Sequence, residues 1–418
     1  MDRRQYLKHF AMLFSGTVAS QILNLASYPL LARIYSPAAF GAFATFVAAT
    51  AIPSSVACLR FDLAVPTAPN WGRFAILWLC TFSSAAAGII CVLGSAAYWL
   101  IAEGSFNPWL PLLFGIAIFA TGFCLAATLY LMRHDQYRST SVSAVARTGG
   151  TALIQLGFGV LSPTSFTLIF GYVLGSLVQG IVLAWTMWRH VRPRRPRRSH
   201  MLVLFRRYRR QVAVDIPGTL LAIGSMNMPT FVIAALFGQR IVGYYGFAQR
   251  IAILPLQLFN DSLSQVFFQK AAKAHEESGH FWPELRFNLA ATGLVSLGTV
   301  AGIWLLAKPV VALYLGAQWL PVATMLIVLA PMLGIRSVAY SITPSIFVLR
   351  RVHWRLAHFV IEGILHALCY AAAIFQGLNA IQYLMLVSLL FALEWLRFLI
   401  QMVVAAWRAR GLIGSPVT

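Results

Sequence analysis

Acidic residues are scarce in this chain. Eleven Asp and Glu stand against 32 Lys and Arg in 418 residues, and charged residues make up only 10%. Soluble domains carry about 25% charge, so a water-facing globular surface is excluded. Cysteine is sparse too. Cys58, Cys80, Cys91, Cys124 and Cys369 lie within or at the ends of apolar runs, without CxxC or other metal spacing, and read as small packing residues. There is no GxxxxGK[ST], HExxH or GxSxG motif. Direct ATP hydrolysis and zinc- or serine-based hydrolysis therefore have no sequence support, and no cofactor or metal is implied.

What the chain has is apolar length. It is 59% hydrophobic, with a mean hydropathy of +0.75. Apolar runs near 20 residues, the length that crosses a bilayer, fall at about 10–32, 40–60, 74–101, 108–132, 143–161, 166–188, 212–236, 244–267, 287–306, 320–346, 358–377 and 381–405. The weakest are 143–161, which contains Arg147, and 287–306. The expected fold is an all-α polytopic membrane protein of about 12 transmembrane helices. The basic start, MDRRQYLKHF, precedes a run long enough to span and reads as part of an uncleaved first helix.

Residues 189–210, RHVRPRRPRRSHMLVLFRRYRR, carry ten arginines and no acid. Each Arg at the centre of a spanning helix costs about 3 kcal/mol, so this stretch belongs in water or among headgroups. Pro193 and Pro196 keep it from continuing the helix before it. It divides the chain into an N-terminal six-helix lobe (1–188), a cytoplasmic connector (189–211) and a C-terminal six-helix lobe (212–418). With both termini inside, 25 of the 32 basic residues face the cytoplasm, three face outside and four lie within spans. That split follows the positive-inside rule. The basic residues thus lie in short loops and not on one soluble face, which excludes nucleic acid as a partner. Outer loops are short, the longest about 307–319, and the inner loop 268–286 is expected to hold a short amphipathic surface helix. Phe40-Gly41-Ala42-Phe43 and Val242-Gly243-Tyr244-Tyr245 open corresponding helices at an offset of 202 residues, so the two lobes are expected to be parallel repeats.

Tyr35, Ser36, Pro37, Phe40 and Gly41, followed by Arg60, Phe61, Asp62 and Ala64, form a pattern that resembles bacterial polysaccharide-export flippases, the O-antigen and exopolysaccharide translocase (Wzx-type) family. A second patch around Gly243, Tyr244, Tyr245, Ala248, Arg250, Pro255, Gln265, Val266 and Phe267 is similar to the eighth helix of the same family. The resemblance places the chain in the superfamily shared with multidrug and toxin extrusion transporters. It implies two six-helix lobes forming a V around a central cavity. It also implies movement of an undecaprenyl-diphosphate-linked oligosaccharide from the cytoplasmic to the periplasmic leaflet of the inner membrane, for O-antigen, exopolysaccharide or capsule export. The partners it implies are that lipid-linked substrate, the membrane lipids and polysaccharide polymerase or export proteins.

A diphosphate group calls for cations, and Arg offers a planar fork that pairs with phosphate oxygens bidentately. The candidate substrate-binding residues are Arg250, Arg336, Arg147, Arg60 and Arg33. Arg147, Arg250 and Arg336 lie within spans, where a charge must face a cavity or a partner. The candidate coupling groups are Asp261, Asp62, Glu362 and His358; His358 and Glu362 stand four apart as a protonatable pair. Glu394 and Arg397, three apart, are expected to neutralise each other. Asn24, Gln155, Gln179, Asn227 and Gln257 are candidates for sugar hydroxyls or for bonds between helices. The alternative is a drug or small-solute cation antiporter on the same fold, which would favour buried acids, whereas the buried charges of the N-terminal half are basic. A membrane enzyme acting on the lipid-linked sugar would need a large outer loop, which the sequence does not have.

Overall fold

Within a bilayer every backbone amide must find its partner inside the chain, which leaves helices as the local solution for apolar runs of this length. The computed structural model is helical in this way. It describes residues 3–102, 108–191, 196, 198–351 and 353–411, with some positions in these ranges described by backbone alone. The helices are α1 (Arg3–Ile34), α2 (Pro37–Val56), α3 (Arg73–Ala102), α4 (Trp109–Met132), α5 (Tyr137–Leu161), α6 (Ser165–Thr186), α7 (Arg198–Phe237), α8 (Gln239–Ser278), α9 (Trp282–Tyr314), α10 (Leu320–Ser341), the single turn α11 (Ser345–Val348), α12 (His353–Gln376) and α13 (Ala380–Gly411). All but α11 have 20 or more residues, so twelve helices match the expected count. Among the described residues, nine helical segments are apolar enough throughout to span. α1, α5 and α8 fall outside that set. In α5 and α8 polar side chains such as Arg147, Gln155, Arg250 and Asn260 interrupt the apolar run.

The ends follow local chemistry. The Ser36 hydroxyl accepts from the Ala39 amide at 3.3 Å, with Pro37 at the first turn of α2. Gly279 closes α8 at φ +71, a left-handed conformation that costs other residues more. α2 begins at residue 37 and α8 at residue 239, so the 202-residue offset holds for the start of this helix pair.

Three boundaries differ from the sequence expectation. α7 starts at Arg198, so the second half of the basic connector is helical, while residues 192–195 and 197 lie outside the described residues. The inner loop 268–286 holds no separate surface helix; α8 runs on to Ser278 and α9 begins at Trp282. The outer loop 307–319 shrinks, because α9 continues to Tyr314. Hydropathy marks where a helix leaves the apolar phase, whereas its hydrogen bonds continue into the interface.

The chain forms two units, Met1–Asn227 and Met228–Thr418. The first unit is knit by small residues and buried polar ties. Gly88 of α3 and Gly115 of α4 pack so closely that a Cβ on Gly88 would lie 2.8 Å from the Gly115 carbonyl oxygen. Tyr35 donates to the Gln155 carbonyl at 2.6 Å, and Gln155 Nε2 donates to the Leu168 carbonyl at 2.8 Å, joining the end of α1 to α5 and α6. In the second unit α10 is the most buried span. Trp319, just before it, is fully buried and packs edge-on to Phe247 at 4.5 Å. All five cysteines are free thiols, with Cys91 alone not fully buried.

Candidate functional site

At the end of α2 the Arg-Phe-Asp-x-Ala segment makes a tight turn. Leu59 and Arg60 are both left-handed, at φ 49 and 58, and a short 3-10 turn spans Phe61–Ala64. Such backbone costs about 1–2 kcal/mol per residue, and burial holds it in place. Phe61 is fully buried and tilts against Phe205 of α7 at 5.8 Å, while Leu204 reaches Gly72. Arg133, at the end of α4, donates to the Val65 carbonyl at 2.8 Å and to Asn70 Oδ1 at 3.3 Å. Arg60 Nη1 lies 3.5 Å from Asp62 Oδ2, with Asp62 3% exposed. Burial pushes the Asp62 carboxyl above its ordinary range, and the Arg60 charge offsets part of that rise. Asp62 Oδ1 and Arg60 Nε are buried without hydrogen-bond partners.

Arg147 stands about 15 Å along α5, which begins at Tyr137. Its guanidinium lies 5.6 Å from the centroid of the Tyr172 ring and donates to the Tyr172 hydroxyl at 3.5 Å. Tyr172 in turn packs edge-on to Phe43 of α2. A cavity of about 670 Å³ opens between α1 and α5, lined by Ser15, Gly16, Arg138, Ser141 and Val145 among others. Arg33 is exposed at the end of α1.

In the second unit Arg250 is half-buried on α8, and Arg336 is half-buried on α10. The Arg336 guanidinium lies 5.9 Å from the Trp395 ring centroid, a cation–π contact between α10 and α13. Trp395 packs edge-on to His358 at 4.4 Å. His358 is 1% exposed; its Nδ1 is 2.8 Å from Glu394 Oε1 and its Nε2 is 3.5 Å from Glu362 Oε1. Arg397 donates to both Glu394 oxygens at 2.6 Å, a bidentate pair. Arg147 and Arg336 form no ion pair among the described residues; their positive charge rests on aromatic faces.

The structure joins His358 with Glu362, as their spacing suggested, and it also brings Arg60 against Asp62. The side chains of Asp261 and Gln257 lie outside the described residues. Among the candidates for sugar hydroxyls, Gln155 is consumed in tying α5 to α6, and Asn227 donates to Ile223 of its own helix. Sequence reasoning missed Tyr172, Trp395 and the bond from His358 to Glu394. Aromatic residues 25 and 59 positions away from their arginines carry no periodic signal.

The family described as "Polysaccharide biosynthesis protein" matches residues 30–324. The lipopolysaccharide biosynthesis protein WzxC of Escherichia coli (strain K12) is 23% identical over 194 residues, 46% of this chain and 38% of that protein, so the match spans well under half of the relative's length. An inward-facing multidrug resistance transporter of the MATE family and MOP superfamily superposes with a TM-score of 0.68 at 13% identity, covering 95% of this chain and 96% of its own. The lipid II flippase MurJ in an inward closed conformation gives 0.65 at 16% identity, covering 97% and 93%. At these identities the two structures share the fold: an all-helical, multi-pass membrane architecture.

Proposed function

The chain belongs to the polysaccharide biosynthesis protein family, and from that premise we propose that it is a flippase. It moves an undecaprenyl-diphosphate-linked oligosaccharide from the cytoplasmic to the periplasmic leaflet of the bacterial inner membrane by alternating access, with both termini cytoplasmic. It carries a substrate across and makes or breaks no covalent bond. The observation that carries this reading is the pair Arg147 and Arg336, each inside a helix and each resting on an aromatic ring without an acidic partner among the described residues. A positive charge held this way in a low-dielectric site favours an anionic ligand, and the diphosphate is the anion of such a substrate. Arg250 is assigned the same role on α8. Arg33 and Arg60 stand at helix ends, where they suit entry and exit of the headgroup. The lobe and connector boundaries at 188 and 211 belong to this reading as well.

The test is leaflet access of lipid-linked saccharide in cells carrying Arg147→Ala or Arg336→Ala at matched protein levels, with Arg→Lys controls. The expected result is accumulation on the cytoplasmic leaflet, partly relieved by Lys. Normal flipping in both Ala variants overturns the assignment of the arginines. Unchanged flipping without the protein, with loss of organic-cation efflux, overturns the flippase in favour of an antiporter.

A further inference from the structure

Between α12 and α13 lies a buried cluster that substrate contact does not explain. His358, Glu362 and His366 come from α12, Glu394 and Arg397 from α13, and Arg336 of α10 faces the cluster across the Trp395 ring. His358, Glu362, His366 and Glu394 are each less than one-tenth exposed. Only Arg397 opens outward, its side chain 45% exposed.

The protonation of His358 follows from what each of its nitrogens faces. Glu394 is held as an anion by the two-pronged Arg397 contact. His358 Nδ1, 2.8 Å from Glu394 Oε1, must then carry a proton and donate it to that oxygen. The other nitrogen, Nε2, is buried without a hydrogen bond and faces Glu362 Oε1 at 3.5 Å. If Nε2 is bare and Glu362 is ionised, a lone pair points at a carboxylate oxygen, which is repulsive. A proton on Nε2, facing the Glu362 carboxylate, removes the repulsion. It makes an imidazolium that donates to a carboxylate from each nitrogen. The ring is fixed for this by Phe398, stacked at 4.2 Å and 12°, and by Trp395 at its edge. His366 is oriented separately: its Nδ1 donates to the Glu362 backbone carbonyl at 2.8 Å, and its Nε2 is buried without a hydrogen bond.

We propose that His358 and Glu362, backed by Glu394 and Arg397, form a one-proton binding site within the second unit. With the proton bound, His358 holds a turn of α12 to itself and to α13 at once. Loss of the proton to water sets Nε2 against Glu362 and loosens the ring from its seat, and with it the contact between α12 and α13. As the point where a pH gradient acts on transport, the site rests on the flippase reading; as a proton site it does not.

The test separates the two. Imidazolium quenches a neighbouring indole, so Trp395 reports on His358. The full chain in lipid nanodiscs is titrated between about pH 5 and 8, and the fluorescence of Trp395→Phe is subtracted from that of the wild type. The expected difference signal falls on acidification in one sigmoidal step. His358→Gln abolishes the step, and Glu362→Gln moves its midpoint to lower pH, because the imidazolium loses a carboxylate. A difference signal flat with pH, or a step that survives in His358→Gln, overturns the site. Should His358→Gln fail to elute as a monodisperse species, Glu362→Gln decides alone, and an unmoved midpoint overturns the site. In liposomes, stimulation of flipping by an imposed pH gradient is lost in His358→Gln. A wild type that titrates normally but flips no lipid-linked saccharide overturns the flippase and leaves the proton site standing.

Discussion

His358 Nδ1 and Glu394 Oε1 lie 2.8 Å apart across 36 residues of sequence, a buried contact that joins α12 to α13. Glu394 holds Arg397 on its other side. Removing the shared carboxylate strands a buried imidazole. Breaking a buried pair by deleting one partner costs about 3–5 kcal/mol. Glu394→Ala is expected to lower the melting temperature in detergent well below that of Arg397→Gln, because the Arg397 side chain is 45% exposed and can hydrate when unpaired. Equal losses in the two variants would contradict the arrangement.

Asp62 gives a pH dependence of opposite sense to an ordinary salt-bridged carboxylate. Its folded pKa is raised, chiefly by burial, so the folded state holds the proton more tightly than the unfolded state does. The favourable contribution is present at low pH and is lost as pH rises from the unfolded carboxylate range through the raised folded value. Asp62→Asn is therefore expected to raise the melting temperature at neutral pH, with the gain shrinking as pH falls through the carboxylate range. Melting curves of the two proteins across that range test it, and a gain that grows on acidification would refute it.

Gly159 and Gly157, two residues apart on α5, carry opposite expectations. A Cβ at Gly159 would lie 2.5 Å from the Tyr35 hydroxyl, and Tyr35 is 1% exposed with nowhere to retreat. At Gly157 no atom lies within 4 Å. Gly159→Ala is expected to cost about 1–3 kcal/mol through overpacking and the strained Tyr35 bond. Gly157→Ala is expected to be neutral or to gain up to about 1 kcal/mol from helix propensity. Thermal unfolding of the pair decides.

The start of α7 is amphipathic, and two leucines two residues apart test its register. Leu204 is fully buried against the turn after α2, whereas Leu202 is 52% exposed. Leu204→Ala is expected to destabilise by about 2–5 kcal/mol and Leu202→Ala by less than about 0.5 kcal/mol. Similar losses would mean that the helix is rotated from the position described.

The twelve long helices were legible because a bilayer demands about 20 apolar residues for each crossing. Their ends were not. Arg198–Gln211 reads as a polar loop by hydropathy, yet Met201, Leu204, Tyr208 and Val212 recur at helical spacing and pack on the core of the first unit. The turn at Leu59 and Arg60 was hidden, since neither Gly nor Asn marks the left-handed positions. At the candidate sites, His358 and Glu362 were visible as a pair at helical spacing. Glu394 was visible only as the partner of Arg397. That both acids meet one imidazole follows from α12 packing on α13, which no local pattern encodes. The aromatic seats of Arg147 and Arg336 were unreadable for the same reason.

The free thiols carry a practical consequence. Cys58, Cys80, Cys124 and Cys369 are shielded by packing, and Cys91 alone is partly open. Replacing that one residue by serine leaves a chain nearly silent to maleimide reagents. A cysteine then introduced at exposed Arg33 or Tyr340 becomes a single addressable label, and its reaction rate from either face of the membrane reads out which way each position opens during a transport cycle.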